Sequence, residues 1–427
     1  MSLKFNLTST FLSFSDKIRP VLMMVFPIEM LRKVKKGIVS SSMEKLHAEA
    51  AIIPFDRSSH PDGINLIGYI QGETGLGQSC RLVAGAMQTA GVPFTVYDYN
   101  QVSSIRFNDH SWAHKITNTT PYNINLIHIN PYELPLAFFH IGRKIWDGRY
   151  NIAFWLWELE EFPSSWLNAL LLVDEVWTPS EFASESIRKV TDKPVHTIPY
   201  GLTMPDCGGY SRKDFQLPED KFLFLCMYDS SSVMERKNPF GAISAFKNAF
   251  PKNDRQGLVI KVNNPQPSDI ELISEEVKGY SNIFILTDTL DRLKVNALLA
   301  CVDVYCSLHR AEGFGLVPAE AMFLGTPVIA TNWSSNTEFM NNDVACMVDY
   351  ELIPIAKDLG PFQAGNRWAE PDIQHAAQFM KRLYSDTEYY YEIAGRAKAH
   401  IHSKLSLGQA ASLAQNRITE IYMEASS

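Results

Sequence analysis

Two glutamates and two glycines in the second half of the chain have the spacing of a ligand site. Glu312-Gly313-Phe314-Gly315 is a predicted tight turn, and Glu320 follows eight positions after Glu312. Glycine lets a backbone approach a ligand closely, and the first N–H groups of the following helix have no partner within it. Such a helix start favours phosphate, whereas the carboxylates suit hydroxyl groups. The pattern indicates a sugar-nucleotide site, but a helix start flanked by two acids would have the same spacing.

Two adjacent cations form a second candidate anion site in the same half of the chain. Arg236 and Lys237 come directly before a predicted helix at 240–250. Because the helix dipole disfavours cations at this end, an anion bound between them would explain their presence. The alternative is a solvated basic turn whose charge is balanced by Glu235. The sequence contains no Asp-x-Asp metal motif.

A third glycine-rich turn lies in the first half of the chain. Gly72, Gly75 and Gly77 stand between a predicted strand and a predicted helix, and Asp98 follows about twenty residues later. This order is typical of a dinucleotide-binding unit, but Cys80 occupies the position of the third glycine. We interpret the turn as a segment whose backbone approaches a ligand closely, and the sequence does not identify that ligand. A tight strand-to-helix turn without a ligand is the alternative.

Strands and helices must alternate through both halves of the chain to position these turns. Apolar runs predict strands at 64–70, 93–97, 123–129, 151–156, 175–178, 195–199, 222–227, 258–262, 283–286, 302–308 and 326–330. Helices are predicted at 78–89, 167–173, 181–190, 240–250, 269–278, 292–299, 316–324, 372–384, 387–401 and 409–425, and a loop is predicted after residue 348. Near-continuous apolar strands that alternate with helices indicate parallel sheets covered on both faces. The predicted fold class is therefore α/β.

Aromatic and acidic side chains follow the fourth predicted strand, where they would line the crevice of an open sheet. The segment contains Trp155, Trp157 and Glu158, with Glu160 and Glu161 after them. Aromatic faces and carboxylates together suit sugar rings. Core tryptophans beside a solvated acidic turn would have the same composition, and we prefer that interpretation for Glu160 and Glu161.

The length of 427 residues is enough for two domains and additional segments. We predict an N-terminal extension at 1–62, an N-terminal domain at 63–205, a C-terminal domain at 206–400 and a C-terminal helix at 401–427. Glycine and proline accumulate between residues 200 and 220, where the apolar periodicity fades. This stretch is the predicted interdomain linker.

Composition excludes several classes of protein. The net charge of −8 argues against general nucleic-acid binding. The six cysteines include no Cys-x-x-Cys pair, which favours a reducing cytoplasm and disfavours a zinc site. No apolar run reaches about 18 residues, so we predict no transmembrane helix. The N-terminus lacks the continuous apolar segment of a signal peptide.

The N-terminal extension differs from the rest of the chain because it is basic. Residues 21–26 are apolar, and the Lys- and Arg-rich segment 31–36 follows closely. An apolar patch beside a lysine cluster suits the surface of an anionic membrane. The alternative, which we weight slightly higher, is a helix packed on the body with a solvated basic face, because Pro20 and Pro27 interrupt any long amphipathic helix.

Taken together, the motifs resemble the family 4 retaining glycosyltransferases. The segment Glu312–Glu320 is similar to the E-x7-E signature of that family, and 325–330 continues the likeness. Segments 235–239 and 72–77 also match, so the resemblance covers about residues 63–425. It implies the GT-B arrangement, in which two Rossmann-like domains face each other across a deep cleft. It also implies a C-terminal helix that crosses back to the N-terminal domain.

The resemblance implies roles for the matching residues. Lys237, Arg236 and Glu312 would be catalytic: the cations would hold the donor diphosphate, and Glu312 would face the transferred sugar. The donor would be bound by Gly75, Gly77, Gly313, Phe314, Gly315, Leu316, Glu320 and Glu338. Asn130, Trp157 and Glu158 would line the acceptor side of the cleft. Neither a cofactor nor a metal ion is expected.

The implied activity is transfer of a sugar, with retention of configuration, from a nucleoside-diphosphate sugar to a saccharide or lipid-linked saccharide. Segments 155–158 and 177–180 look like the branch that builds bacterial surface polysaccharides. We therefore expect a cytoplasmic enzyme, with peripheral contact to the inner face of the cell membrane through residues 1–62 as a further expectation. An epimerase or phosphorylase on the same fold is the main alternative. An NAD(P)-dependent oxidoreductase and a non-catalytic membrane scaffold are the others.

Three parts of the sequence depart from the family pattern. Ser231 stands where the family often has an arginine, and Asn130 stands where it often has a second histidine. His128, at the end of the same predicted strand, is interpreted as a packed strand residue. Segment 334–336 replaces the glycines that usually precede Glu338.

Overall fold

The computed structural model describes residues 30–31, 34–35, 37–39, 41, 43, 52–101, 106–251 and 255–425. The strands of the first half are β1 (Ile64–Gly68), β2 (Phe94–Asp98), β3 (Ile124–His128), β4 (Tyr150–Phe154), β5 (Glu175–Thr178) and β6 (Val195–Thr197). Those of the second half are β7 (Phe222–Asp229), β8 (Gln256–Asn263), β9 (Ile283–Leu286), β10 (Val304–Ser307), β11 (Val328–Thr331) and β12 (Cys346–Val348), followed by β13 (Tyr350–Pro354) and β14 (Arg367–Pro371).

The helices cover the two sheets. They are α1 (Gly75–Thr89), α2 (Leu134–Ile141), α3 (Glu181–Arg188), α4 (Met234–Lys237), α5 (Pro239–Ala249), α6 (Pro267–Glu276), α7 (Arg292–Cys301), α8 (Leu316–Leu324), α9 (Ile373–Ser385), α10 (Thr387–Lys404) and α11 (Leu407–Glu424). Among the described residues, no helix has both the length and the apolar composition needed to cross a bilayer.

Each half contains one six-stranded sheet whose strands are all parallel. The orders are β2-β1-β3-β4-β5-β6 and β12-β11-β10-β7-β8-β9. In both sheets the chain starts at an inner strand, runs to one edge and then returns to the other side of its starting strand. The loops after the two strands at this reversal open a crevice at the carboxyl edge of the sheet. The predicted α/β class is confirmed.

Local sequence explains why the chain turns where it does. All five residues of β1 are buried, as expected of a strand inside a covered parallel sheet. The side chain of Thr74 accepts a hydrogen bond from the Gly77 N–H and so caps the start of α1. Helix α8 ends at Gly325, whose backbone is left-handed with φ 91°.

The structure differs from the sequence prediction in several elements. The helix predicted at 167–173 is a 3-10 helix, Ser164–Leu172. The loop predicted after residue 348 contains the antiparallel hairpin β13–β14, whose proline and glycine residues fall mostly in its connection. Helix α2 was not predicted, because its apolar side chains follow no helical period.

The end of the chain contacts the first half of the molecule. Arg417 of α11 is buried and forms an ion pair with Glu175 of β5 at 2.7 Å. The Leu202 N–H donates to the Leu405 carbonyl at 2.9 Å, and the Tyr422 hydroxyl accepts from the Gly63 N–H at 2.9 Å. The C-terminal segment contains two helices with a break between α10 and α11, as the predicted helices at 387–401 and 409–425 indicate.

The N-terminal extension is described only in part. Val39 and Met43 are buried and pack with the apolar residues of the first half, including Ile67 and Tyr69. These two contacts favour the interpretation of a helix packed on the body. The apolar segment 21–26 and most of the cations predicted to contact a membrane lie outside the described residues, so membrane contact stays a prediction.

Candidate active site

The strand order of the second sheet brings the two predicted anion-binding segments together. Strands β7 and β10 are neighbours at the point where the order reverses. The loop after β7 leads into α4, which contains Arg236 and Lys237, and the loop after β10 contains Glu312. Because both loops leave the carboxyl edge, side chains 75 positions apart in sequence meet in one crevice.

Glu312 is the centre of this cluster. Its carboxylate is in ion-pair contact with the Lys237 ammonium, and the Arg236 guanidinium lies 3.5 Å from the other carboxylate oxygen. The Lys237 side chain is 24% accessible, so the ion pair is at the surface of the crevice. Burial alone would raise the pKa of Glu312, but Lys237 and Arg236 outweigh it and hold the pKa at about 2. The carboxyl group is therefore ionised at neutral pH.

Arg236 is fixed by backbone and side-chain acceptors. Its guanidinium donates to the Ala311 carbonyl and to the Ser232 hydroxyl, both at 2.8 Å. A further carboxylate, that of Glu158 in the first half of the chain, lies 3.7 Å from it. The Nε of Arg236 is buried and has no partner among the described residues.

The glycines of the 312–315 turn serve different purposes. Gly315 has φ 90°, a left-handed backbone that most side chains avoid, and a Cβ atom there would lie 3.1 Å from Asn336. Gly313 packs against the backbone of Trp157, because a Cβ atom there would lie 3.2 Å from the Trp157 carbonyl oxygen. Gly313 thus meets the other half of the chain in this structure.

Phe314 and Leu316 lie on either side of Gly315. The Phe314 ring is buried and makes an edge contact with Tyr200, with centroids 4.7 Å apart. Leu316 is the first residue of α8, and none of the side chains in the described residues caps this helix. Its first N–H groups are therefore left for a ligand or water.

Glu320 is buried on α8 and forms an ion pair with Arg292 of α7. Burial raises the pKa of Glu320, and Arg292 opposes that rise. The Oε2 atom of Glu320 has no hydrogen-bond partner in the described part of the chain. An unpaired carboxylate oxygen at this position has free capacity to accept a hydroxyl group.

Glu338 contacts the first half of the chain. Its two carboxylate oxygens accept the N–H groups of Glu181 and Phe182, at 3.0 and 2.9 Å. These groups are the start of α3, where a carboxylate is favoured by the helix dipole. Donor binding by Glu338 stays a prediction, and in this structure the carboxylate bridges the two halves.

In the glycine turn of the first half, packing requires a glycine at position 77 but not at position 75. A Cβ atom on Gly77 would lie 1.9 Å from the Gly72 carbonyl oxygen, so the glycine is required by its own turn. Gly75 is exposed, and a Cβ atom there would meet no atom of the described residues within 4 Å. Asp98, the acid of the dinucleotide alternative, accepts the Gln71 N–H at 3.4 Å.

The predicted acceptor-side residues lie at the carboxyl edge of the first sheet. Asn130 accepts the Leu156 N–H at 3.3 Å, which joins the loops after β3 and β4. Trp157 is buried and stacks on Phe362 with centroids 5.5 Å apart. Glu158 reaches Arg236, so it is the one predicted acceptor-side residue that contacts the cation cluster directly.

His128 is confirmed as a packed strand residue. It is buried, stacks on Phe154 and contacts the Ser79 hydroxyl at 2.6 Å through Nε2. Burial lowers the pKa of His128 to about 4, so the ring is neutral at pH 7.

Sequence reasoning missed two arginines that organise the site. Arg292 pairs with Glu320, and Arg310 donates from its backbone N–H to the Arg236 carbonyl at 2.7 Å. Arg310 stands two positions before Glu312, so its proximity to the motif was a signal in the sequence. Arg292 opens a helix with no motif around it, so nothing in the sequence marked it. Among the described residues, no three His, Cys, Asp or Glu side chains form a cluster that could hold a metal ion.

Residues 211–351 match the family model described as glycosyl transferases group 1. This third of the chain contains both anion-binding segments, Glu320 and Glu338. No curated protein matches the chain in sequence.

Two solved structures have the same architecture. HepE of Anabaena in complex with UDP-glucose is 14% identical, with 84% of this chain and 99% of HepE covered and a TM-score of 0.60. Sucrose-phosphate synthase of Thermosynechococcus elongatus is 13% identical, with 85% and 100% covered and a TM-score of 0.59. At such low identity the likeness shows the fold, which is GT-B, with two Rossmann-like domains.

Proposed function

We propose that this chain is a glycosyltransferase that uses a nucleoside-diphosphate sugar as donor. The observation that carries the proposal is the meeting of Arg236, Lys237 and Glu312 beside the uncapped start of α8. Two cations and free N–H groups suit a diphosphate, and a carboxylate among them suits the hydroxyl groups of a sugar. The match of residues 211–351 to the glycosyl transferases group 1 model supports the same conclusion.

The chemical step that these residues would assist is departure of the nucleoside diphosphate. Negative charge then builds on the phosphate oxygen that leaves the sugar. Lys237, Arg236 and the N–H groups of Gly315 and Leu316 are fixed in advance, so they stabilise this charge without reorganising. We propose that Glu312 orients the transferred sugar and that Glu320 accepts the ribose hydroxyls with its unpaired oxygen.

Finer features of the reaction rest on the family resemblance. We propose retention of configuration, with attack from the face that the diphosphate leaves. We also propose that Lys237 and Arg236 supply the positive charge, so that transfer needs neither a metal ion nor a cofactor. Rates that are equal with and without EDTA are expected, and a strict requirement for a divalent cation would contradict this part.

The acceptor is proposed to be a saccharide or lipid-linked saccharide of polysaccharide biosynthesis. It would lie beside Asn130, Trp157 and Glu158 at the edge of the first sheet, while Gly75 would approach the donor from the same side. We place the enzyme in the cytoplasm, with peripheral contact to the inner face of the membrane through residues 1–62. Pelleting with anionic liposomes, before and after deletion of residues 1–62, tests this contact.

The central experiment compares Lys237→Ala with Lys278→Ala. Lys278 has a side chain that is 75% accessible and lies outside the crevice, so it is a matched control. UDP is the first nucleotide to titrate, because HepE was crystallised with UDP-glucose. GDP, ADP and dTDP and their sugars follow.

We expect Lys237→Ala to lower transfer by about a hundredfold or more, as the loss of one preorganised donor group does elsewhere. Lys278→Ala should retain the parent activity and the parent urea midpoint. Lys237→Ala should unfold at a lower urea concentration, because the buried Glu312 carboxylate loses its nearest counter-charge, but it should remain folded under the conditions of the assay. A Lys237→Ala enzyme as active as the control would contradict the donor-site assignment.

Other sugar-nucleotide enzymes remain alternatives on this fold. Product analysis separates them. An epimerase converts the nucleotide sugar without an acceptor, a phosphorylase exchanges the sugar with inorganic phosphate, and a transferase moves the sugar to a saccharide and releases the nucleoside diphosphate. The oxidoreductase alternative requires binding of NAD(P), which a thermal-shift measurement detects.

A further inference from the structure

Arg310 connects three separate segments around the cation cluster. Its backbone N–H donates to the Arg236 carbonyl at 2.7 Å, and its Nη1 donates to the Glu235 carbonyl at 2.6 Å. Two consecutive carbonyl groups of α4 are therefore held by one residue. Because Arg310 is separated from Glu312 by one residue only, it also fixes the distance between the two anion-binding segments.

Glu370 of β14 holds the guanidinium of Arg310 in place. The two groups form a bidentate pair, with Nε 2.6 Å from Oε2 and Nη2 2.9 Å from Oε1. The Ala369 N–H donates to the Arg310 carbonyl at 3.0 Å, and the guanidinium lies 5.5 Å from the centre of the Trp368 ring. All three contacts come from the hairpin β13–β14, which lies outside the six-stranded sheet.

Helix α4 needs such support because it is one turn long. Isolated helices of this length are unstable in water, since a single turn fixes many dihedral angles for few hydrogen bonds. Its N–H groups bond back to Val233, whereas bonds to the loop after β10 fix its direction toward Glu312. Arg310 supplies two of these bonds, and the Arg236 guanidinium supplies another to the Ala311 carbonyl.

The connection of the same hairpin reaches the cluster from its other side. Phe362 is buried, stacks on Trp157 and lies 5.7 Å from the Arg236 guanidinium carbon. The hairpin thus contacts Arg236 through a ring at its tip and contacts the α4 carbonyl groups through Arg310 at its strand.

We propose that Arg310 and Glu370 are positioning residues of the donor site. They set the geometry of Arg236 and Lys237 relative to Glu312 and touch no donor atom themselves. The pair makes the hairpin β13–β14 a functional part of the donor site. This inference rests on the proposed function, since the geometry matters only if an anion binds between the cations and the turn.

The test uses Arg310→Lys and Glu370→Gln in the full chain, with UDP as the titrated ligand. Arg310→Lys keeps the charge but cannot make the planar double contact with a carboxylate. The controls are Arg396→Lys and Glu392→Gln, which alter an ion pair on the exposed face of α10.

We expect both site variants to weaken UDP binding by about tenfold, while the controls change it by less than about twofold. The urea midpoints of all four variants should remain close to that of the parent. If UDP binds as tightly to Arg310→Lys as to the controls, the pair has no positioning role.

A second measurement separates positioning from direct contact. In an Arg236→Ala, Lys237→Ala background, Arg310→Lys should weaken UDP binding by less than about threefold, because both cations that it positions are gone. A full tenfold loss in that background would mean that Arg310 contacts the ligand itself, which overturns the proposal.

Failure of the proposed function would be visible separately. If the parent binds no nucleoside diphosphate, the donor site is wrong, and hydrogen exchange of the amides at 233–238 then decides the inference. Faster exchange in Arg310→Lys and Glu370→Gln than in the controls would sustain the positioning of α4. Equal exchange in all variants would overturn it.

Discussion

The two glycine turns of this molecule have the same local pattern and different chemistry. Both connect a parallel strand to a helix at the carboxyl edge of a six-stranded sheet. The turn at 72–77 is closed by its own atoms, since Thr74 caps α1 and Gly77 packs on the Gly72 carbonyl. The turn at 312–315 is capped by no side chain of the described residues, and two cations face its carboxylate.

The comparison shows that glycine spacing alone does not identify a phosphate site. A helix start can have its N–H groups satisfied by a side chain or left for a ligand. In the first turn a threonine oxygen occupies the place that an anion would need, whereas in the second turn that place is free. What distinguishes the two turns is therefore the cap and the nearby charge.

The largest effect is expected from Gly77→Ala in the first turn. Replacing a helical glycine by alanine normally stabilises a helix, by about 1 kcal/mol. Here the new Cβ atom would lie 1.9 Å from the Gly72 carbonyl oxygen, so the turn must open. We expect a loss of about 3 kcal/mol or more in the free energy of unfolding, at the upper end of overpacking costs. Urea unfolding measures it.

Gly75→Ala is the matched control, because its Cβ atom would meet nothing within 4 Å in the described part of the chain. It should leave the free energy of unfolding unchanged or slightly higher. If this turn approaches the donor as proposed, Gly75→Ala weakens UDP-sugar binding without a loss of stability. Equal destabilisation by the two variants would show that packing does not distinguish these glycines.

The second turn should be sensitive to acid in a way that the first is not. The pKa of Glu312 is lowered from 4.5 to about 2, because Lys237 and Arg236 outweigh the effect of burial. A lowered pKa gives stability that is present above the unfolded value and lost as the pH falls toward the folded value. Between pH 5 and pH 3 we expect Glu312 to account for a loss of about 2 kcal/mol.

Urea midpoints of the parent and Glu312→Gln, measured from pH 6 to pH 3, test this expectation. The slope of stability against pH should be smaller in Glu312→Gln. Glu73→Gln, which alters the more exposed pair of Glu73 and Arg106 in the first turn, should keep the parental slope. Identical slopes in all three proteins would exclude a strong ion pair at Glu312.

Much of this architecture was predictable because its signals are local. Apolar runs bounded by glycine and polar residues predicted the strands on both sides of each turn, and α8 was predicted at its observed bounds. Arg236, Lys237 and Glu312 were singled out by type and spacing. These side chains lie close together because the carboxyl ends of parallel strands are at the same edge of the sheet.

The features that escaped prediction are set by tertiary contacts. Packing requires Gly77 but not Gly75, because only Gly77 lies against the Gly72 carbonyl group. The spacing of glycines in the sequence does not show where that carbonyl group lies. Glu338 bridges to α3, and Arg310 depends on a hairpin whose two strands show no regular alternation of buried and exposed residues. Long-range polar pairs of this kind leave no periodic trace in the sequence.

The smallest effect concerns the two ends of α8. Gly315 and Gly325 both have left-handed backbones, with φ 90° and 91°. Alanine at either position should therefore cost about 1–2 kcal/mol in the free energy of unfolding. The two glycines differ in their surroundings, because only Gly315 lies at the start of the helix, beside Arg236 and Lys237.

Comparing Gly315→Ala with Gly325→Ala thus separates stability from function at one helix. We expect UDP binding to weaken about tenfold in Gly315→Ala, because a shifted turn misaligns the free N–H groups. Gly325→Ala should bind UDP within about twofold of the parent at the same loss of stability. If both variants bind UDP equally well, the start of α8 is not an anion site, and the difference between the two glycine turns is one of packing alone.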